Sequence, residues 1–515
     1  MDTKALRQKI LDLAIRGKLV PQDPSDEPAS VLLERIREQK KQMVKEGKLK
    51  AKDIKNDTII FVGEDNLHYE KFQDGTVKCI EDEIPFEVPE GWAWCKLNDI
   101  YNFIDYRGAT PTKITNGIPL VTAKNVKSGY IDYTIDDYIS EEEFKERQQR
   151  GISKKGDILF TTEAPLGNAA LADMEKFSAG QRLITFQQYG SKNELINYVM
   201  LMFILSDFFQ QQLYVNKTGS TVAGIKAAIL KTLWIPVPPY NEQLRISNTL
   251  KSAINLIDSI SKNKEILSTS ISNTKSKILD LAIRGKIVPQ DPNDEPASVL
   301  LERIRAEKEE LIKQGKIKRD KKESVIFKGD DNSYYGIHLP DSWNWASLRE
   351  IALSISDGSH NPPPNNGSGI PLLSAANIND NSILMNEISR WITNEEWKIE
   401  NQRTNIEVGD VLLTIVGSIG RSAVVQNNNH FALQRSVAVI KPCLINPLYL
   451  MHIVQSPQIQ KWLTDNSKGT AQKGIYLNAL SLMIIPIPPL AEQARIVEHI
   501  HIAYKHLDLI SNALL

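Results

Sequence analysis

Cysteine is nearly absent: Cys79, Cys95 and Cys443 are scattered through 515 residues with no C-x-x-C spacing. That excludes a disulfide framework and a cysteine-rich zinc site, and fits a reduced, cytoplasmic setting. Histidine is sparse as well, eight in all; His499, His501 and His506 lack partners at metal-ligand spacing, so no metal site is expected. No apolar run reaches membrane length. The longest, Tyr198 to Leu205, stops at Ser206-Asp207, and no membrane is expected among the partners. The opening residues, MDTKALRQK, are charged at once and do not read as a signal peptide. The phosphate-cradling string G-x-x-x-x-G-K-[ST] is missing, which argues against nucleotide hydrolysis. Asn361-Pro362-Pro363-Pro364 approaches the N-P-P-aromatic string of amino-methyltransferases, but a proline holds the place of the base-stacking ring. No glycine-rich loop after a strand is there to hold a methyl donor. Neither catalysis nor a cofactor bound by this chain is expected. Charge of one sign is lacking too, with 62 Lys and Arg against 63 Asp and Glu. A net charge of −1 neither points to nucleic acid nor excludes a locally basic face.

What the chain does have is duplication. Residues 9–37 read KILDLAIRGKLVPQDPSDEPASVLLERIR, and residues 277–305 repeat them with changes only at Leu19/Ile287 and Ser25/Asn293. Weaker matches follow at offsets of 250 to 253: WAWCKL with WNWASL, IPLVTAKNV with IPLLSAANI, GDILFTTEAPLGNAAL with GDVLLTIVGSIGRSAV, and NKTGSTVAGI with NSKGTAQKGI. Gln181-Arg182 answers Gln434-Arg435, and IPVPPYNEQLRI answers IPIPPLAEQARI. The chain is therefore two copies of one unit. The joining segments are nearly identical. The domain interiors keep a frame of Gly, Pro and apolar residues but differ in the polar residues between them. Two like folds that contact unlike things, held by segments with one shared job, follow from that pattern.

The joining segments read as helices. From Ile246 a heptad runs through Leu250, Ala253, Ile257, Ile260, Lys264, Leu267, Ile271, Thr274, Ile278 and Leu281, ending at a capping Gly285. The same seam recurs in two pieces, Ile496 to Leu514 at one end of the chain and Leu6 to Leu13 at the other. Laid end to end, they equal one copy of the central helix. The expected fold class is α+β: two similar domains joined by long antiparallel coiled-coil helices in a pseudo-two-fold circular arrangement. The divisions are 1–55 for the repeated N-terminal segment, 85–240 for the first domain and 241–322 for the helical spacer. The second domain takes 338–490, and 491–515 form the last helix. Asp26-Glu27-Pro28 reads as an N-cap with proline at the first helical position, followed by a stripe of Ala29, Leu32, Leu33, Ile36 and Met43. Lysine-rich tails follow at 45–55 and 313–322, which are solvated faces or contacts to phosphate or a partner.

Within the domains, short apolar runs such as Asp157–Thr161 and Asp410–Thr414 read as strands, with one helix each, 197–212 and 446–463. Polar residues gather between them. The first domain offers Arg107, Thr110, Lys113, Lys124, Asn125, Asn168, Arg182, Lys217, Ser220 and Lys226, with Glu163 among them. The second offers Ser359, His360, Asn361, Asn377, Arg421, Arg435, Lys468, Gln472 and Lys473. Arg, Lys, Asn and Gln make the paired contacts that read base edges, and hydroxyls suit phosphates, so these are the candidate DNA-binding residues.

The whole combination resembles the specificity subunit of type I restriction–modification systems. Two domains are each followed by IPxPP-x-x-EQ-x-RI and a long helix, and the AIRGK, VPQDP and DEPASVLLERIR strings recur. About 15 extra residues near Glu70–Glu87 depart from the pattern, and their role is open. The resemblance implies a non-catalytic reader of double-stranded DNA, each domain taking one half of a bipartite asymmetric target, with the helices as a ruler. It implies two methyltransferase subunits, which carry the methyl donor, and two restriction subunits. On that reading the repeated segments dock the methyltransferases, with Glu34, Arg35, Arg37, Glu302, Arg303 and Arg305 expected at the contact. A coiled-coil scaffold with two ligand-binding domains is the alternative, as are a DNA reader for another defence complex and a self-contained methyltransferase.

Overall fold

The structure is a computed structural model describing residues 2–55, 57–106, 110–190, 194–219, 223–319, 333–469 and 473–514. It divides into two compact units, Met1–Asn263 and Lys264–Leu515.

In the first unit a helix Thr3–Ile15 starts at Asp2, whose carboxylate accepts from the Lys4 and Ala5 N–H groups. It ends where Gly17 takes a left-handed φ of +66°. There the Lys18 N–H donates to the Leu13 carbonyl at 2.8 Å and the Gly17 N–H to the Ala14 carbonyl at 3.1 Å. Gly17 is needed twice over, because any Cβ would also collide with the Pro89 ring. Gly285 repeats the device against Pro340. The expected cap at Asp26 is corrected. The helix Ala29–Lys45 begins after Pro28 with no side-chain cap, and Asp26 instead binds the Arg245 guanidinium at 2.6 Å. Asp294 likewise binds Arg495.

The first domain is built on a four-stranded antiparallel sheet ordered Tyr101–Asp105, Leu183–Gln188, Ile158–Thr161, Ala169–Leu171. Beside it Ile118–Val121 pairs parallel with Ser178–Ala179 and antiparallel with Tyr138–Ile139. A separate pair, Ala93–Lys96 with Trp234–Val237, closes the neck of the domain. Pro236 is tolerated there because a two-stranded pair leaves each strand a free edge. The second domain repeats every part: Ala352–Asp357, Val437–Pro442, Val411–Thr414 and Ser422–Val424 in the main sheet, then Ala432–Leu433, Ile370–Leu373 and Trp391–Ile392, then Asn344–Ser347 with Ile484–Ile487.

Each domain has two helices where one is expected, Asn197–Ile204 then Asp207–Val215, and Pro447–Val454 then Pro457–Asp465. The break falls at a serine whose hydroxyl turns back on the preceding carbonyl, Ser206 on Phe203 and Ser456 on Ile453, both at 2.6 Å. Further helices, Glu141–Arg147 and Asn394–Thr404, were not expected. Before the first domain Ile59–Val62, His68–Lys71 and Val77–Cys79 form an antiparallel meander, whose later part overlaps the extra residues near Glu70–Glu87. Next to it Asp57 pairs with the buried Lys40 ammonium.

The long helix spans Tyr240–Ile283. But for Tyr240 it falls within the expected helical region 241–322, and each of its ends is packed into a domain core. Ile246 and Leu250 join the first core, while Leu279, Ala282 and Ile283 join the second. In the first unit the N-terminal helix runs antiparallel to it, with Arg7 paired to Asp258 and Gln22 to Glu242. In the second unit Lys275 pairs with Asp508 of the helix Leu490–Ala513. Of the heptad residues, Ile257 and Ile271 are buried, whereas Leu267 and Thr274 are exposed.

One buried group in the second core is poorly matched. His452 stacks edge-on against Tyr504, its Nδ1 has no hydrogen-bond partner, and burial pushes its pKa down to about 4. A His452→Phe substitution is expected to stabilise the chain by about 1 kcal/mol at pH 7. The gain should grow on acidification. The unfolded imidazole takes up its proton near pH 6.5 and the folded one only near 4, so wild-type stability is lost as pH falls through that window. Urea titrations at pH 7 and pH 5 check this, and a gain that shrinks at pH 5 would contradict it.

Candidate nucleic-acid interface

The same end of the main sheet carries the same construction in both domains. In the first, Thr218 and Gly224 are paired through their backbones. The Thr218 N–H donates to the Gly224 carbonyl at 2.7 Å, and the Gly224 N–H returns the bond at 3.0 Å. The Ile225 N–H then reaches the Thr162 carbonyl at 3.0 Å. This lays Lys226 and Thr218 beside Glu163, Gln181 and Arg182 in one open cleft. Thr110 donates its hydroxyl proton to Gln181 at 2.9 Å. The Lys217 ammonium sits 3.5 Å from the centre of the exposed Tyr214 ring. Thr110, Arg182 and Lys226, far apart in sequence, are thus brought together.

In the second domain Lys468 and Gly474 exchange backbone bonds at 2.8 and 2.9 Å, and the Ile475 N–H donates to the Ile415 carbonyl at 2.9 Å. The Gly417 N–H donates to the Lys473 carbonyl at 3.1 Å. Ser359 is tied to the turn at 434–435 through its own N–H to the Leu433 carbonyl and from the Arg435 N–H to its carbonyl. His360 and the exposed Asn361 therefore lie next to Arg435. His360 Nε2 is 2.8 Å from Asp357. Arg403, from the helix Asn394–Thr404, reaches both. Nothing in the sequence singled out Arg403.

Several expected contacts are corrected. Asn125 is buried, and its amide is used up within the protein. Its Oδ1 accepts from the Thr122 N–H at 2.9 Å and the Thr122 hydroxyl at 2.7 Å, while Nδ2 donates to the Asp132 and Ile135 carbonyls. Asn377 is its counterpart, bound to Ser374 and the Glu387 carbonyl. Asn125 has no edge left for a base, and Asn377 is likewise buried. Asn168 is half-buried and donates to the Val126 carbonyl, and Ser359 is buried with its backbone in the ladder. Lys113 is surface-placed but paired with Asp137 at 2.7 Å. Lys124 is exposed, and so is Arg421, which reaches Asn379 at 3.3 Å. Arg107, Gly108, Ser220 and Gln472 lie outside the described residues, as does the lysine-rich tail from 320 to 322.

The repeated segment shows less surface than expected. Glu34, Glu302 and Arg303 are exposed. Arg35 bridges Glu27 at 2.7 Å and Glu194 at 3.1 Å. Arg37 turns inward, its side chain only 17% exposed, and Arg305 reaches the buried Glu350 at 2.8 Å.

The EQ-x-R string, read only as part of a repeat, proves to be a clamp. The Trp92 indole N–H donates to Glu242 at 2.9 Å, and Gln22 of the VPQDP stretch donates to the other carboxylate oxygen at 3.0 Å. Gln243 accepts from the Ile196 N–H and donates to the Pro238 carbonyl. Trp343, Gln290, Glu492, Gln493 and Asn446 repeat the set in the second unit. Burial raises the Glu242 pKa to about 6 against the pull of the Trp92 bond, and raises Glu492 for the same reason.

Among the described residues no group of three or more His, Cys, Asp or Glu could hold a metal ion. None of their helices is long and apolar enough to cross a membrane.

The family model described as the type I restriction modification DNA specificity domain matches residues 89–268 and 340–514. The specificity subunit of the Escherichia coli enzyme EcoEI is 28% identical, over 99% of this chain and 90% of that protein. That of EcoAI, also from Escherichia coli, is 30% identical over 73% of this chain and 67% of the relative. A solved structure, described as the basis of complex assembly and conformational transition of the type I R-M system, aligns with a TM-score of 0.54. It is 18% identical and covers 84% of this chain and 94% of that one, a likeness of fold.

Proposed function

The chain belongs to the type I restriction–modification DNA specificity family, and on that premise we propose that its two recognition domains each read one half of a bipartite, asymmetric DNA target. It is a specificity subunit and not a catalytic one. One observation carries the reading: a shared framework presents different side chains at matching places. Bridged to equivalent glycines, Glu163 of the first domain stands where Val416 stands in the second. Two identical half-sites would not need that divergence. The helix Tyr240–Ile283, about 66 Å long at 1.5 Å per residue, would set the unread spacer.

Two methyltransferase subunits would dock on the two near-identical segments through Glu34 and Arg35 in one copy and Glu302 and Arg303 in the other. They would bring the methyl donor, and two restriction subunits would complete the assembly. Binding to duplex DNA should weaken steeply with salt, as phosphate contacts require. Docking is tested by Glu34→Lys and Glu302→Lys, both at exposed positions. Deleting the segment would not serve, since Leu11, Ala14, Ile15, Leu32 and Ile36 are core residues. Each reversal should weaken one methyltransferase copy roughly ten-fold or more while leaving the other bound. Native mass spectrometry of the assembled complex reads the stoichiometry. Two copies retained at wild-type affinity in both variants would remove these segments from the docking surface.

A further inference from the structure

The cleft of the first domain contains a group that a DNA-binding surface ordinarily avoids. Glu163 leaves the end of the strand Ile158–Thr161, and its backbone bridges Gly224. Its carboxylate lies 3.1 Å from Arg182 Nε, with both side chains about half exposed. Gln181, Thr218 and Lys226 line the same cleft. A fixed negative charge here repels phosphate, so it weakens binding to every sequence alike. It becomes useful where it accepts a hydrogen bond from a base, and in the major groove cytosine N4 is the donor that an acidic side chain reads. Its backbone is held on both sides, because the preceding Thr162 N–H donates to the Arg182 carbonyl at 3.0 Å and Glu163 itself bridges Gly224. In the second domain the equivalent Val416 carries no charge.

We propose that Glu163 is a specificity-determining residue of the first half-site, accepting from the exocyclic amine of a cytosine. Arg182, oriented by the same carboxylate, is then free to donate to a neighbouring guanine. The second half-site, met by Val416 and Arg435, lacks this cytosine contact. The inference rests on the DNA-reading function proposed above.

The test uses the full chain assembled with its methyltransferase and duplex libraries randomised at both half-sites. Glu163→Gln keeps an acceptor for Arg182 but adds a donor facing the base; Glu163→Val copies the second domain. In both, preference for cytosine at one position of one half-site should fall roughly ten-fold, while affinity for a scrambled duplex stays level or rises. If all base preferences persist, and target and scrambled affinities rise together, Glu163 is only a solvated acid and the proposal fails. Arg182→Ala run in parallel separates the two failures. Weakened binding there, with Glu163 variants unchanged, overturns the cytosine contact alone. Unchanged binding there overturns the interface itself.

Discussion

A chain whose residues 97–233 are exchanged for the matching stretch of another recognition domain will direct its methyltransferase partners to a new motif. One half of that motif is replaced, and the other half and the spacer length are kept. The cut points follow from the neck. Strands Ala93–Lys96 and Trp234–Val237 stay together, and Trp92, Glu242 and Gln243 remain on the frame with their clamp intact. The bonds from frame to domain are largely blind to sequence. Lys40 donates to the Asn98 carbonyl, and Gln243 accepts from the Ile196 N–H. Both partners are main-chain groups that an incoming domain supplies whatever its side chains. What it must match is apolar volume, because Leu11, Ala14 and Ile15 pack with Met200 and Phe203 in one core. Each mismatched base pair costs about 1–3 kcal/mol, so losing a half-site of a few pairs should lower affinity for the old target roughly a hundred-fold or more. Methylome sequencing of cells carrying the exchanged chain reads the outcome. A motif altered in both halves, or altered only in spacer length, would end the idea of one domain per half-site.

The expected frame of the fold was largely readable from the sequence, and the reasons are local. Gly17 and Gly285 follow a helical seam at the place where a left-handed residue must end it, and the strands at 158–161 and 411–414 stand out as short apolar runs between turns. The two-helix break was hidden because the apolar period continues across Ser206, and only the serine hydroxyl, turned onto Phe203, marks the stop. The candidate site was harder. Asn125 and Asn377 carry the same amide that reads adenine, yet a buried turn uses the identical donor and acceptor. Residue type alone does not separate these uses; the carbonyls of Asp132, Ile135 and Glu387 do. The EQ-x-R clamp was visible as a repeat but not as a clamp, since Trp92 and Asp26 lie 150 and 219 positions from their partners. Its function is architectural: in each unit it ties the repeated segment, the neck and the helix that follows the neck at one point. The near-identity of residues 9–37 and 277–305 thus has a cause within the fold itself, beside the docking proposed above, because Gln22, Asp26, Gln290 and Asp294 must each meet the same clamp.

That clamp makes Trp343 a sensitive position in the second unit. The indole is fully buried in the core and donates to Glu492, itself buried, at 2.9 Å. Trp343→Ala removes the ring volume and strands the carboxylate, and is expected to destabilise the chain by about 3–5 kcal/mol. Trp343→Phe separates the two effects by keeping most of the ring while losing the donor; about 1–3 kcal/mol is expected at pH 7.5. The pH dependence tells which effect operates. Burial holds the Glu492 pKa above its ordinary 4.5, and the indole bond is the largest influence pulling it back down. With that bond gone the folded pKa rises further, so the cost of keeping Glu492 ionised grows above that value. Between the unfolded and folded values the native state binds more protons, and stability climbs as pH falls through the window. The deficit of Trp343→Phe should therefore narrow as pH is lowered from 7.5 towards 5, since a protonated Glu492 no longer needs the indole donor. Urea unfolding of wild type and variant at the two pH values measures it. A deficit equal at both would mean that lost packing alone sets the cost and that the indole–carboxylate bond contributes nothing.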